Sequence, residues 1–325
     1  MDRCIGIPYC GNKNSIAEEL IKLIQWKEPR KRTFYDLFGG GGSVSFEALY
    51  QGHNVVYNEI NKSIYELQKL LVDRGKTQEF SKYGILPEEW YRFINKEEYD
   101  KLKFDETDLA YNGFINCIYA FGNKWHSNYL YAVDRQSYKK RYHNKIMVDE
   151  NWVNQRVKIL KNMTEEEIND KRVEHLERIT ILERYRELWQ LEKFCKNTIT
   201  LSNKSYEEVE LGKPEESIIY CDIPYKSVSA DIYGEKDTFN RNEFVKWCKE
   251  KAEQGYTIYV SEFEFDIGEE IYRKERYEHV SQKNNDTENR EEVLFMINKD
   301  TKDKLIKLEK PEPMSLFDYL EMGKE

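Results

Sequence analysis

The feature that most restricts the fold of this chain is a strand-like run that ends in four glycines and passes directly into a helix-compatible segment. Thr33-Phe34-Tyr35-Asp36-Leu37-Phe38 has strand composition, Gly39 to Gly42 follow, and Val44 to Tyr50 can be helical. A strand, a glycine turn and a helix open a parallel sheet, because the helix must cross back before the next strand can run alongside the first. That next strand is Val55-Val56-Tyr57, ending at Asn58-Glu59, and Ser63 to Val72 then shows helical spacing. The alternation predicts a doubly wound α/β fold. Upstream, Ile16, Leu20, Leu23 and Ile24 recur at helical spacing within Ser15 to Trp26, with Asn14 as the expected N-cap.

From about Asp73 to Asn197 the pattern changes to long charged stretches of helical periodicity, notably Glu165 to Lys193, with few strand signals. The α/β pattern returns at Ser217-Ile218-Ile219-Tyr220-Cys221, continues through a helix around Glu243 to Gln254 and a strand Thr257 to Val260, and ends with Glu292 to Ile297. The expected organisation is therefore a core of residues 1–72 and 198–298, a mostly helical insertion at 73–197, and a charged tail at 299–325.

Composition removes several function classes. Hydrophobic residues make up 39%, with 24 Tyr and 15 Phe, which is too aromatic for a disordered chain. No apolar run reaches the roughly 20 residues that cross a bilayer, and Met1 to Cys10 lacks a basic segment followed by an apolar core, so a cytoplasmic protein is expected. The six cysteines are scattered without a Cys-x-x-Cys pair, which indicates neither a zinc site nor a disulfide framework. A net charge of −9 argues against coating nucleic acid by bulk charge but leaves room for a local patch. One such patch runs through Lys124, Arg135, Lys139, Lys140, Arg141, His143 and Lys145, interleaved with Trp125, Tyr129, Tyr131, Tyr138 and Tyr142. A charge run of this kind is by itself an ordinary solvated surface.

Three constellations carry chemistry. Gly39 to Gly42 let the backbone turn at positive φ and approach a ligand beside a helix N-terminus, a geometry that suits a nucleotide but also serves dinucleotide enzymes. Glu59, at the end of the second strand, is placed to accept two hydrogen bonds from a ribose diol, although a strand end is also an ordinary place for a surface glutamate. The third is Ile218-Ile219-Tyr220-Cys221-Asp222-Ile223-Pro224-Tyr225. Here an apolar strand delivers a carboxylate, a proline and an aromatic ring to the carboxyl edge of the sheet. Asp222 can accept from an exocyclic amine, Pro224 holds the Ile223 carbonyl outward, and Tyr225 can stack on an extrahelical base. Alone, an Asp-x-Pro-Tyr run is more simply a turn that stops a strand.

Taken together, these motifs resemble the Dam-type (alpha group) DNA adenine methyltransferases, especially their phage-encoded relatives. Ile7-Pro8-Tyr9-Cys10-Gly11-Asn12-Lys13 resembles the family's Tyr-x-Gly-Gly-Lys signature, which implies that Tyr9 and Lys13 contact the methyl donor. Phe38 to Gly42 is similar to the Phe-x-Gly-x-Gly loop, with Asp36 at the acidic position before it; Phe38, Gly40 and Gly42 then belong to the cofactor site. Asn58-Glu59-Ile60-Asn61 resembles Asn-Asp-x-Asn, which implies that Glu59 holds the ribose and Ile60 lies beside it. Ser205-Tyr206 stands where relatives place residues around the cofactor adenine, Asp222-Ile223-Pro224-Tyr225 stands for Asp-Pro-Pro-Tyr, and Val260-Ser261-Glu262 looks like the Ser-Glu strand. Phe121-Gly122-Asn123-Lys124-Trp125 is similar to a phage-type Phe-Gly-Gly-Lys-Trp segment of the DNA-recognition part. Two positions depart from the pattern, Ile223 for proline and Glu59 for aspartate.

The resemblance implies a Rossmann-like methyltransferase sheet with an inserted DNA-recognition domain. The implied activity is transfer of a methyl group from S-adenosyl-L-methionine to N6 of a flipped adenine. Asp222, Pro224 and Tyr225 are the implied catalytic residues, and Lys124, Trp125, Lys139, Lys140 and Arg141 the candidate DNA contacts. Double-stranded DNA is the expected partner and a monomer or weak dimer the expected state. In the tail, Met314, Leu316 and Phe317 resemble the short peptides that dock on bacterial sliding clamps. The competing readings are an RNA base methyltransferase, an inactive DNA-binding relative and, least favoured, a nicotinamide dehydrogenase, for which the Asp-Ile-Pro-Tyr turn has no use.

Overall fold

The structure is a computed structural model that describes residues 6–130, 173–224, 239–277 and 289–304. Tyr225, Lys139, Lys140, Arg141, Met314, Leu316 and Phe317 lie outside the described residues.

Seven described strands form one sheet: β1 (Thr33–Asp36), β2 (Val55–Asn58), β3 (Ile199–Ser202), β4 (Ser217–Asp222), β5 (Ile258–Glu262), β6 (Glu269–Tyr277) and β7 (Asn289–Ile297). Their order is β3-β2-β1-β4-β5-β7-β6. The first five are parallel, and β7 runs antiparallel to both β5 and β6. The chain winds outward from β1 to β3 and then returns to place β4 on the other side of β1. The order therefore reverses between β1 and β4, which opens a crevice at their carboxyl ends, where ligands bind in sheets of this kind.

The central strands are covered on both faces, which is why β4 reads as a near-continuous apolar run. Phe34, Tyr57, Tyr220, Tyr259 and Leu294 point into one hydrophobic cluster, shared with α1 (Ala17–Lys27), α2 (Ser43–Tyr50) and α3 (Lys62–Thr77). Their alternate neighbours Tyr35, Ile219, Cys221, Val260 and Val293 join a second cluster with Phe244, Trp247 and Cys248 of a helix at Arg241–Glu253. Asn61 caps α3 by accepting from the Ser63 and Ile64 N–H groups.

Asn14 does not cap α1. That helix starts at Ala17, its N-cap position is Ile16, and no side chain caps it. The Ile16 and Ala17 N–H groups donate instead to the Lys13 carbonyl, and the Asn14 side chain accepts from Gly6 N at 3.3 Å. The turn at 14–16 thus satisfies the helix start with backbone alone.

Between α3 and β3 lie α4 (Lys96–Leu102), α5 (Leu109–Tyr119), α6 (Val173–Glu183), α7 (Tyr185–Leu188) and α8 (Glu192–Cys195), with the helix at Arg241–Glu253 following as α9. Trp90, Tyr99, Phe114, Tyr119 and Tyr185 from this stretch are buried in the same cluster as α1 to α3. The approach of α5 to α3 is very close: a Cβ on Gly113 would sit 2.3 Å from the Ser63 carbonyl oxygen. Arg178 of α6 donates to the carbonyls of Cys117, Ile118 and Ala120, serving the C-terminal acceptors of α5 just before the Phe121–Trp125 segment. No helix among the described residues is long and apolar enough to cross a membrane.

Candidate active site

A cavity of about 770 Å³ opens at the crevice between β1 and β4. Tyr9, Asp36, Phe38, Gly40, Glu59, Ile60, Tyr206, Asp222 and Pro224 all line it. These residues come from the N-terminal loop, both arms of the switch point and the loop after β3. Gly42 and Lys13 lie off the cavity wall, and the Lys13 ammonium reaches it through Asp222 and the Gly11 carbonyl.

The glycine turn owes its shape to its surroundings. Gly40 and Gly42 sit at φ +48° and +82°, a region that side chains disfavour. Gly39 N donates to the Asn58 carbonyl and the Tyr57 hydroxyl donates to the Gly40 carbonyl at 2.7 Å, so β2 grips the turn from behind. Glu59 grips it from the side. One of its carboxylate oxygens accepts from Gly40 N at 2.7 Å and the other from Asn61 N at 2.8 Å. A carboxylate offers about four acceptor positions, so these two contacts fix its orientation and leave capacity for a ligand.

Asn58 ties the next wall in place. Its amide donates to the carbonyls of Leu37 and Lys204 and accepts from Lys204 N at 3.1 Å, joining β1, β2 and the loop after β3. That loop carries Tyr206, whose ring stacks on Phe38 with centroids 5.5 Å apart, while Phe239 meets Phe38 edge-on. Beside this aromatic wall Ile60 lines the cavity as an apolar side chain 47% exposed among the described residues.

Two carboxylates from adjacent strands face each other across the switch point. Asp36 is 1% exposed; Ser45 donates to one of its oxygens at 2.7 Å, and the other has no hydrogen-bond partner among the described residues. Burial pushes the Asp36 carboxyl up to about 7, against the Ser45 hydrogen bond and with the negative charges of Asp222 and Glu59 adding to the rise. Asp222 ends β4. The Lys13 ammonium donates to its two oxygens at 2.8 and 2.7 Å and to the Gly11 carbonyl at 3.2 Å, and Glu292 of β7 lies 3.7 Å away. Ile223, where the motif resemblance implies proline, is buried in the second hydrophobic cluster.

Arg241, at the start of α9, also lines the cavity and pairs with Glu262 of β5 at 2.7 Å. Glu262 is 1% exposed, so the Ser-Glu strand supplies an anchor for Arg241 from beneath the wall. Sequence reasoning did not single out Arg241 or Glu292. The Phe121–Trp125 segment lies away from the cavity. Trp125 is buried in the first hydrophobic cluster, while Phe121 and Lys124 are exposed on a turn with Gly122 and Asn123 at positive φ.

A glycine turn facing an acidic strand end would also suit a dinucleotide enzyme. An antiparallel β7 slotted between β5 and β6, with a carboxylate projecting from the end of β4, makes the architecture that of a Rossmann-like methyltransferase. Comparison with protein families sharpens this: the family model of D12 class N6 adenine-specific DNA methyltransferases matches residues 9–286, and the chain belongs to that family. Its members are enzymes that methylate adenine in DNA, so DNA is the substrate class. A search of curated proteins found no match.

Proposed function

We propose that this enzyme uses S-adenosyl-L-methionine to methylate N6 of an adenine that has been turned out of duplex DNA into the cavity. The observation that carries the reading is that Asp222, the glycine turn and Glu59 share one cavity wall system. A carboxylate that can polarise an amine and a cradle that suits a nucleotide thus face the same space.

The residues present fit the cofactor. The buried Asp36 oxygen that has no side-chain partner among the described residues offers an acceptor for an ammonium group, and Glu59 offers acceptors for a ribose diol. Phe38, Tyr206 and Ile60 supply flat and apolar surface for an adenine ring. When bound, the cofactor supplies an electrophilic methyl group on a sulfonium. Asp222 accepts a hydrogen bond from the target amine and holds its lone pair toward the donor side. Pro224 keeps the Ile223 carbonyl turned out as a second acceptor, and Tyr225 stacks on the base. Alignment of the two reactants supplies much of the rate.

Extrusion of the adenine costs a few kcal/mol, which protein–DNA contacts must offset. The stretch at 73–197 is the proposed recognition part, with Lys124, Lys139, Lys140 and Arg141 as phosphate contacts. The burial of Trp125 supports a different role for that residue: it anchors the turn that presents Lys124. The bacterial cytoplasm, where DNA is accessible, is the proposed location.

The test is transfer of labelled methyl to adenine-containing duplex DNA, with modified-base sequencing to locate the product. Asp222→Ala should abolish transfer while cofactor binding, read by calorimetry, survives. Full transfer by that variant would remove Asp222 from the mechanism, and label on RNA but not DNA would change the substrate.

A further inference from the structure

We propose that Glu292 is a positioning residue for methyl transfer, setting through Lys13 the charge that Asp222 presents to the target amine. The inference rests on the reading of Asp222 above and deepens it.

Because β7 is antiparallel to β5, its N-terminal half reaches the edge where the parallel strands end. Side chains alternate along it: Val293 and Phe295 enter the second cluster, Leu294 the first. Glu292 shares the face of Leu294, and this brings it within 3.7 Å of the Lys13 ammonium. Both are buried, Glu292 at 3% and Lys13 at 1% exposure. Lys13 at the same time holds both oxygens of Asp222. One ammonium therefore lies between two carboxylates, and the three groups together carry one negative charge.

That charge matters to the reaction. A lysine paired with Asp222 alone would leave a neutral couple with weakened pull on a third group. A second carboxylate on the lysine returns negative charge to the cluster. In the transfer, the amine lone pair forms the new N–C bond and the C–S bond breaks with its electron pair staying on sulfur. Positive charge then resides on N6 until one of its protons leaves to water. A net-negative cluster beside N6 stabilises that charge more than it stabilises the neutral amine, and only such a difference accelerates the step.

Glu292→Gln keeps the shape and removes the charge. On a duplex carrying the target site with its adenine unmethylated, single-turnover transfer should slow about 10- to 100-fold, less than the roughly 100- to 1000-fold for loss of a donor touching the reacting group, because Glu292 acts through Lys13. Cofactor affinity, thermal midpoint and extrusion of the base, read by 2-aminopurine fluorescence at the target position, should stay unchanged. Glu292→Asp, which restores the charge, should recover most of the rate. An unchanged rate in the Gln variant overturns the proposal, as does a loss matched by weaker cofactor binding or base extrusion, which would mark a structural role. If the Gln variant does not fold, a folded Asp variant that extrudes the base normally yet loses transfer overturns it equally. Wild-type protein that transfers no methyl to DNA would refute the parent reading instead.

Discussion

Asp36 is held in an unfavourable state, and the consequence is measurable. An aspartate ordinarily titrates at 3.8, and burial here raises it to about 7, so the folded protein keeps a proton that the unfolded chain has released. At pH below 4 both states are protonated and the site costs nothing. As pH rises from 4 to 7 the unfolded state is progressively favoured, and above 7 the penalty is constant, with an upper bound of roughly 4 kcal/mol for a displacement of this size. Asp36→Asn removes the titration and retains an acceptor for Ser45. The ligand-free variant should gain stability over wild type between pH 4 and 7 and hold that gain above 7, as checked by denaturant unfolding across pH. A difference independent of pH would place the proton elsewhere.

At the scale of elements, the packing of α5 on α3 depends on the absence of one side chain. Gly113→Ala would improve helix propensity by roughly 1 kcal/mol, but its methyl must displace the Ser63 carbonyl region from 2.3 Å. Overpacking of this kind costs about 1 to 3 kcal/mol, so net destabilisation is expected in urea melts. The elements visible in the sequence were those whose burial is simple. β1, β2, β4 and β5 lie inside the sheet and read as apolar runs, and the glycine turn and Asp222 followed from them. β3 and β6 escaped for different reasons. β3 is a four-residue edge strand, Ile199–Ser202, hidden behind a helical pattern that ran to 197. β6 is the opposite edge, and its Arg273 pairs with both Glu270 and Glu291, so its charge density masks its pairing. Trp125, a candidate DNA contact on the strength of the Phe-Gly-Gly-Lys-Trp resemblance, is 5% exposed, a burial that a motif match does not reveal.

For the whole molecule, a net charge of −9 has to coexist with binding to a polyanion. The affinity must then come from a local patch. Replacing Lys124, Lys139, Lys140 and Arg141 together with alanine should flatten the dependence of log affinity on log salt by up to about 0.9 per lost phosphate contact. Anisotropy titrations between low and moderate salt would measure it, and an unchanged slope would remove these four residues from the interface. Family membership over residues 9–286 leaves an RNA or nicotinamide substrate without support. The pairing of Lys13 with Asp222 and Glu292 was beyond sequence reasoning, since nothing local signals partners so distant along the chain.

The reversed direction of β7 has a bearing on how the enzyme comes into being. By threading back between β5 and β6, a strand far along the chain completes the surroundings of Lys13, which precedes β1. A nascent chain still lacking that strand can carry every glycine and the aspartate yet cannot close the cluster around it. The proposed charge arrangement around Asp222 is therefore complete only once β7 has joined the sheet.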